Sequence, residues 1–181
     1  MADEHELPTE PLRRRHEQLA AALERVLELV EDLSPGAAAA SPELLRALTL
    51  LERGLLPHAE AEDCFLYPEI GRLMGSHRAT AGMNVDHAFV SRYLRELRAE
   101  VEAAADPGSA GLTRRHVHRL LATANRLAGL LAAHFRTEEE VYFPLLDAEM
   151  SPELVRRRVI DPITALIESG VNGEERPAKA R

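Results

Sequence analysis

A single cysteine, no tryptophan and few aromatics of any kind mark this sequence by what it omits. Cys64 alone can form no intrachain disulfide and cannot build a cysteine-based zinc site. Aromatic residues make up 4% of the chain, which fits a helical protein packed with Leu, Ala and Val. No apolar run reaches bilayer-spanning length, because Arg, Glu, Thr or His interrupts the longest Leu/Ala-rich segments, so no membrane partner is expected. Basic charge is scarce as well. A net charge of −8 argues against nucleic acid as the main partner, since phosphate binding needs a clustered basic surface. The one local basic run, Arg13-Arg14-Arg15, is short and reads as the solvated face of a helix start. The N-terminal MADEHELPTEP is acidic and polar, unlike a secretory or transit peptide, and the cytoplasm is the expected compartment.

Strand signals are missing too: no segment alternates with period two, and no hairpin turn separates β-branched runs. Helix punctuation is abundant. A first helix is expected from Thr9-Glu10-Pro11 to just before Ser34-Pro35-Gly36. Ser41-Pro42-Glu43 has the form of an N-cap and acidic first turn, opening a second helix that passes Pro57 with a kink and runs to Pro68 or Met74. The loop GSHRATAGMN leads to a third helix from near Asn84, closed by Asp106-Pro107-Gly108. A fourth is expected from Thr113 to about Asp147, and Ser151-Pro152-Glu153 caps a shorter fifth with a kink at Pro162. The predicted fold is all-α: an antiparallel up-down four-helix bundle with a short additional C-terminal helix. At 181 residues this is one domain, placed at residues 9–168, with flexible termini at 1–8 and 170–181.

The inward-facing positions of the four long helices carry an unusual cargo. Their series are Leu12, His16, Leu19, Leu23, Val26, Val30, Leu33; then Leu44, Leu48, Leu51, Leu55, His58, Glu62, Phe65; then Met83, His87, Val90, Leu94, Leu97, Val101. The fourth reads Val117, Leu120, Ala124, Leu127, Leu131, His134, Glu138, Val141, Leu145. Steps of three and four are those of a bundle seam. Each seam holds a His, and two hold a Glu one turn further on. A lone core His is ordinarily a hydrogen-bonded structural residue, and one His-x-x-x-Glu pair is common on exposed helix faces. Six such residues together are another matter, because a carboxylate in an apolar core is costly unless its charge is compensated. Cations compensate it, with neutral imidazoles as co-ligands. Alternating helix direction also brings His16, His58, Glu62, His87, His134 and Glu138 to the same end of the bundle.

Other residues are assigned plainer roles. His5, His77, His116 and His118 fall outside the pattern, and Cys64 is expected as a small buried hydrophobe. Asp63 and Glu139, each following a seam Glu, are candidates to accept an imidazole N–H, with Glu139 expected in solvent. Tyr67, Tyr142 and Phe143 are expected to close the bundle end, and Pro68 and Pro144 to stop or kink their helices just past the polar pairs.

The ordered set His16, His58-x-x-x-Glu62, His87, His134-x-x-x-Glu138 resembles the hemerythrin-like family, also called HHE cation-binding domains, from about Leu12 to Leu146. The resemblance implies a non-haem di-iron centre inside the bundle. By that likeness His16 and His58 would hold one iron, His87 and His134 the other, with Glu62 and Glu138 bridging them. Oxygen-carrying hemerythrins have a fifth His on the third helix. Here Met83 and Ser91 stand four residues either side of His87, so the pattern is similar to bacterial proteins with four His and two Glu, some acting on peroxide or nitric oxide. It is similar also to the iron-sensing hemerythrin domain of a eukaryotic ubiquitin ligase. Two His and one oxygen from each Glu give four ligands per iron. A bridging oxo or hydroxo makes five and leaves one position for water, dioxygen, peroxide or nitric oxide. The mixed donor set suits iron, or manganese, better than a structural zinc site. Two functions follow as expectations. One is a redox enzyme that detoxifies peroxide or nitric oxide, with no catalytic residue identifiable beyond the ligands. The other is an oxygen, nitric oxide or iron binding and sensing module without turnover, mildly disfavoured because no output domain is attached.

Overall fold

The computed structural model of the chain describes residues 6–35, 42–105 and 112–171, and among them there are helices and turns but no strand. In chain order, α1 is Glu10–Glu31, α2 Pro42–Ala61, α3 Tyr67–Leu73, α4 Ala81–Ala105, α5 Arg114–Thr137, α6 Phe143–Glu149, α7 Pro152–Val155 and α8 Asp161–Val171. The long helices α1, α2, α4 and α5 form the bundle, α1 packing on α2 and α5, and α4 on α5 and α2. No described helix is long and apolar enough to cross a membrane. His5, Ser41, the Asp106-Pro107-Gly108 breaker and most of the two expected flexible ends lie outside the described residues.

Local chemistry sets the helix starts. Thr113 caps α5, its hydroxyl accepting the His116 N–H, and Ser151 accepts the Leu154 N–H at the start of α7. Thr9 gives both its N–H and its hydroxyl to Asp147, which ties the start of α1 to the far end of α6. Gly75 adopts φ 65° just past α3, the left-handed turn that lets the chain reverse towards α4. α4 then begins at Ala81, earlier than the Asn84 expected from sequence.

Three π-helical turns interrupt the expected continuous helices, at Glu62–Leu66, Glu138–Tyr142 and Arg156–Ile160. Each opens six residues before a proline: Pro68, Pro144 and Pro162. A proline cannot donate to the carbonyl four residues back, and its ring collides with that carbonyl. A widened turn relieves the clash. The residue before each proline donates to a carbonyl five back: Tyr67 to Glu62, Phe143 to Glu138 and Asp161 to Arg156. α2 passes Pro57 without such a turn, and α8 packs there, with a Cβ on Gly170 coming only 3.1 Å from the Pro57 ring.

The extra residue in each π turn changes which side chains face inward. Phe65, Val141 and Leu145 were the expected inward positions, yet Val141 is 49% exposed and the other two are only half-buried. The buried positions are instead Leu66 and Tyr67, and Tyr142, Phe143 and Leu146. Cys64, expected to be buried, is exposed, because two residues past Glu62 it stands on the opposite side of the helix. The shift predicts opposite costs for two substitutions. Leu66→Ala should lose roughly 2–5 kcal/mol in urea denaturation. Val141→Ser should stay within ~0.5 kcal/mol. A reversed ranking would restore an uninterrupted α-helical face.

The core has two apolar parts. The larger, including Leu23, Val26, Leu48, Leu51, Leu94, Leu97, Leu120 and Leu127, fills the bundle away from the π turns. The smaller gathers Leu12, Leu66, Ile70, Met83, Phe143 and Leu146 with Val155, Val159 and Ile163 of the C-terminal elements. The six polar seam residues sit between these two parts along every long helix. α7, the third π turn and α8 thus cover that end of the bundle, so the polar layer is walled by hydrocarbon on both sides.

Candidate metal centre

His16, His58, Glu62, His87, His134 and Glu138 are all buried, and Glu62 and Glu138 have no exposure at all. α1 and α4 each contribute one imidazole. α2 and α5 each contribute an imidazole from their last turn, and the adjoining π turns begin with the two glutamates. All six converge. His58 Nε2 lies 3.0 Å from Glu62 Oε1, His16 Nε2 3.6 Å from the same oxygen, and His87 Nε2 3.5 Å from Glu62 Oε2. Glu138 Oε2 is 3.4 Å from His16 Nε2 and 3.6 Å from His134 Nε2. Two tight groups result, His16–His58–Glu62 and Glu62–His87–His134, with Glu62 common to both.

Carboxylates outside the six orient the rings. His16 Nδ1–H donates to Glu139 Oε1 at 2.8 Å and His87 Nδ1–H to Asp63 Oδ1 at 2.8 Å, while Asp86 Oδ2 stands 3.4 Å from His134 Nδ1. Asn84 steadies Asp63 through a 2.7 Å hydrogen bond. An ionised carboxylate can only accept, so in the neutral rings these contacts place the proton on Nδ1 and leave the Nε2 lone pair aimed inward. The expected exposure of Glu139 is therefore corrected: the side chain is partly covered and bound to His16. Asp86 escaped sequence reasoning. It precedes a candidate ligand rather than following one, and only the α4–α5 packing brings it to His134.

Tyr67 also differs from its expected role. Following the first π turn it points inward, and its hydroxyl donates to Glu138 Oε1 at 2.8 Å. Tyr67 Oη also lies 3.3 Å from Nε2 of both His87 and His134. Burial first, then Glu62 and Glu138, push its pKa up, so it keeps its proton. Tyr142 and Phe143 do close the bundle end: the Tyr142 hydroxyl donates to the Ala79 carbonyl, and the Phe143 ring stacks on His16 at 5.4 Å. His77 and His118 are exposed and His116 serves the α5 cap, away from the cluster.

By protein contacts alone, the cluster is badly satisfied. Among the described residues, His16 Nε2, both nitrogens of His58, both oxygens of Glu62 and Glu138 Oε2 are buried without a hydrogen-bond partner. The 3.0 Å approach of His58 to Glu62 lacks hydrogen-bond alignment. His87 Nε2 and His134 Nε2 face one another at 3.1 Å, a contact that is a hydrogen bond only when one of the two carries a proton. Unpaired buried groups of this kind each cost on the order of 1–3 kcal/mol. Protons make up part of the deficit. Burial opposes charge on His87, but Asp63 and Glu62 raise it to about 9, while burial takes His134 down to about 4. Burial alone would raise Glu62, yet His58, His16 and His87 hold it well below the usual carboxylate range. Glu138 is pushed well above that range by burial and then by Glu62. Burial also lowers His58. Nitrogen and carboxylate donors converging without partners are what one or two cations would satisfy, so the residues present fit a metal centre.

Comparison with known families supports the same reading. The hemerythrin HHE cation binding domain matches residues 7–146, and a second match covers residues 92–161. Comparison with curated proteins and with solved structures returns no match. The longer family match runs from the turn before α1 into α6 and takes in all six convergent residues. With a helical bundle, a buried His/Glu cluster and a family match over most of its length, this chain belongs to the hemerythrin HHE cation-binding domain family.

Proposed function

We propose that the protein is a di-iron protein of the four-His/two-Glu type that reacts with peroxide or nitric oxide. In this reading His16 and His58 hold one ion, His87 and His134 the other, and Glu62 and Glu138 bridge. The carrying observation is the set of buried, partnerless donor atoms shared between two groups through Glu62. Two irons would supply redox electrons and an open coordination position for a small ligand, and manganese is the other metal this donor set admits. The chain does the rest. Glu139, Asp63 and Asp86 orient the imidazoles. The apolar residues on either side exclude bulk water, which strengthens every electrostatic interaction within. Tyr67 Oη holds a proton beside Glu138 and both His87 and His134. A proton-bearing hydroxyl at the centre suits turnover of peroxide or nitric oxide better than simple carriage, because reduction of peroxide to water, or of nitric oxide to nitrous oxide and water, by an external electron donor takes up protons. An acidic chain with one cysteine is consistent with a cytoplasmic setting.

The test is direct. Protein from iron-replete expression should carry about two irons per chain, by the one-metal-per-group count, and show ligand-to-iron absorption in the near ultraviolet. Adding peroxide, nitric oxide and dioxygen in turn should give catalytic consumption of one of the first two. Metal analysis finding no iron sinks the reading. Stable spectral change with every ligand and turnover of none would instead favour a binding or sensing module.

A further inference from the structure

The sequence repeats itself, and so does the site. α1 with α2 corresponds to α4 with α5, position for position. His16 matches His87, His58 matches His134, Glu62 matches Glu138, and the apolar seams match as well. The supporting contacts obey the same two-fold relation. Glu139 accepts from His16 as Asp63 accepts from His87, each at 2.8 Å. Phe143 stacks on His16 as Tyr67 stacks on His87, at 5.4 and 5.5 Å.

Against that symmetry, two pairs of matched positions differ in chemistry. The residue before His87 is Asp86, whose carboxylate is 3.4 Å from His134 Nδ1. The residue before His16 is Arg15, a half-buried guanidinium with no carboxylate pair among the described residues. One of its N–H groups donates at 3.3 Å to the Gly54 carbonyl, one turn before His58. His58 Nδ1 has no hydrogen-bond partner. In the second pair Tyr67 brings a hydroxyl where Phe143 has none. One half therefore has two carboxylates behind its imidazoles, at Nδ1, and a hydroxyl at their inward Nε2 atoms. The other has one carboxylate and an uncompensated cation. Carboxylates hydrogen-bonded to an imidazole make it a better donor, and a nearby cation opposes metal charge directly.

We infer that the two metal positions are unequal, the His87–His134 position filling first and tightly and the His16–His58 position holding a weaker, exchangeable ion, with Asp86 and Arg15 as the residues that set the difference. This rests on the two-metal reading above, and Asp86 and Arg15 act through the ligands as positioning residues.

The experiment is an anaerobic titration of metal-free, full-length protein with Fe(II) against a competing chelator, read as two stepwise dissociation constants. The wild type should give constants separated by roughly ten- to hundred-fold beyond the statistical difference between identical sites. Asp86→Asn should bring them together by weakening the tighter step. Arg15→Gln should bring them together by strengthening the weaker one. Circular dichroism checks that both variants fold, and neither side chain belongs to the core. Two equal steps in the wild type would overturn the inference while leaving the di-iron reading intact. So would Asp86→Asn weakening the second step, or both variants matching the wild type. Failure of the wild type to bind any iron would overturn the two-metal reading and this inference with it.

Discussion

Glu62→Ala is expected to strip the protein of both metal ions at once. Glu62 has no solvent exposure, and its two oxygens lie between 3.0 and 3.6 Å from the Nε2 atoms of His16, His58 and His87. It is the only residue common to both donor groups, so its loss removes a donor from each and the negative charge that offsets two cations. His58→Ala provides the contrast, because it damages one group and should leave about one ion per chain. Misfolding can be separated from ligand loss. The apolar residues on either side of the cluster do not depend on Glu62, and its removal leaves those walls in place. Far-ultraviolet circular dichroism of metal-free Glu62→Ala should therefore match that of the metal-free wild type. Retention of one ion by Glu62→Ala, measured by elemental analysis after desalting, would contradict bridging.

Removing the metal from the wild type should produce the second large effect, a fall in thermal stability. A ligand bound only by the folded state stabilises by about 4 kcal/mol when its free concentration is a thousand times its dissociation constant. For a chain of this length each kcal/mol moves the midpoint by roughly 2–4 °C, so a drop of roughly 10 °C or more is expected. The structural reason is the list of orphaned atoms: His16 Nε2, both His58 nitrogens, both Glu62 oxygens and Glu138 Oε2. They are buried at every temperature below unfolding, and without cations only protons can partly satisfy them. Calorimetry of protein before and after chelation, with iron added back as a control, reads the shift. Equal melting temperatures would argue that the cluster holds no metal in solution.

Much of this was legible in the chain itself. Leu and Val at steps of three and four, with Pro, Gly, Ser and Thr at the boundaries, place α1, α2, α4 and α5 and the inward face of each. His16, His58, Glu62, His87, His134 and Glu138 lie before or at the start of any π turn, where the 3.6-residue period still holds, and all six are buried together. Past those points periodicity misled. Phe65, Val141 and Leu145 were expected inside by continuing the α-helical step, whereas Leu66, Tyr142 and Leu146 are buried. The signal that warns of it is Pro68 and Pro144, expected to stop or kink their helices just past the polar pairs, which act a turn earlier by widening the helix.

Sequence alone determined the bundle and the six convergent donors, because burial period and the cost of a lone buried carboxylate are local and compositional facts. Tertiary structure decided what surrounds those donors. Tyr67 reaches Glu138 only because a π turn rotates it inward, and Glu139, Asp63 and Asp86 reach His16, His87 and His134 only across helix interfaces. No spacing rule in one helix encodes which neighbour its carboxylates will meet. Inter-helix packing chose the partners, and so turned the differences between Arg15 and Asp86, and between Phe143 and Tyr67, into unequal surroundings for two halves whose ligand motifs repeat.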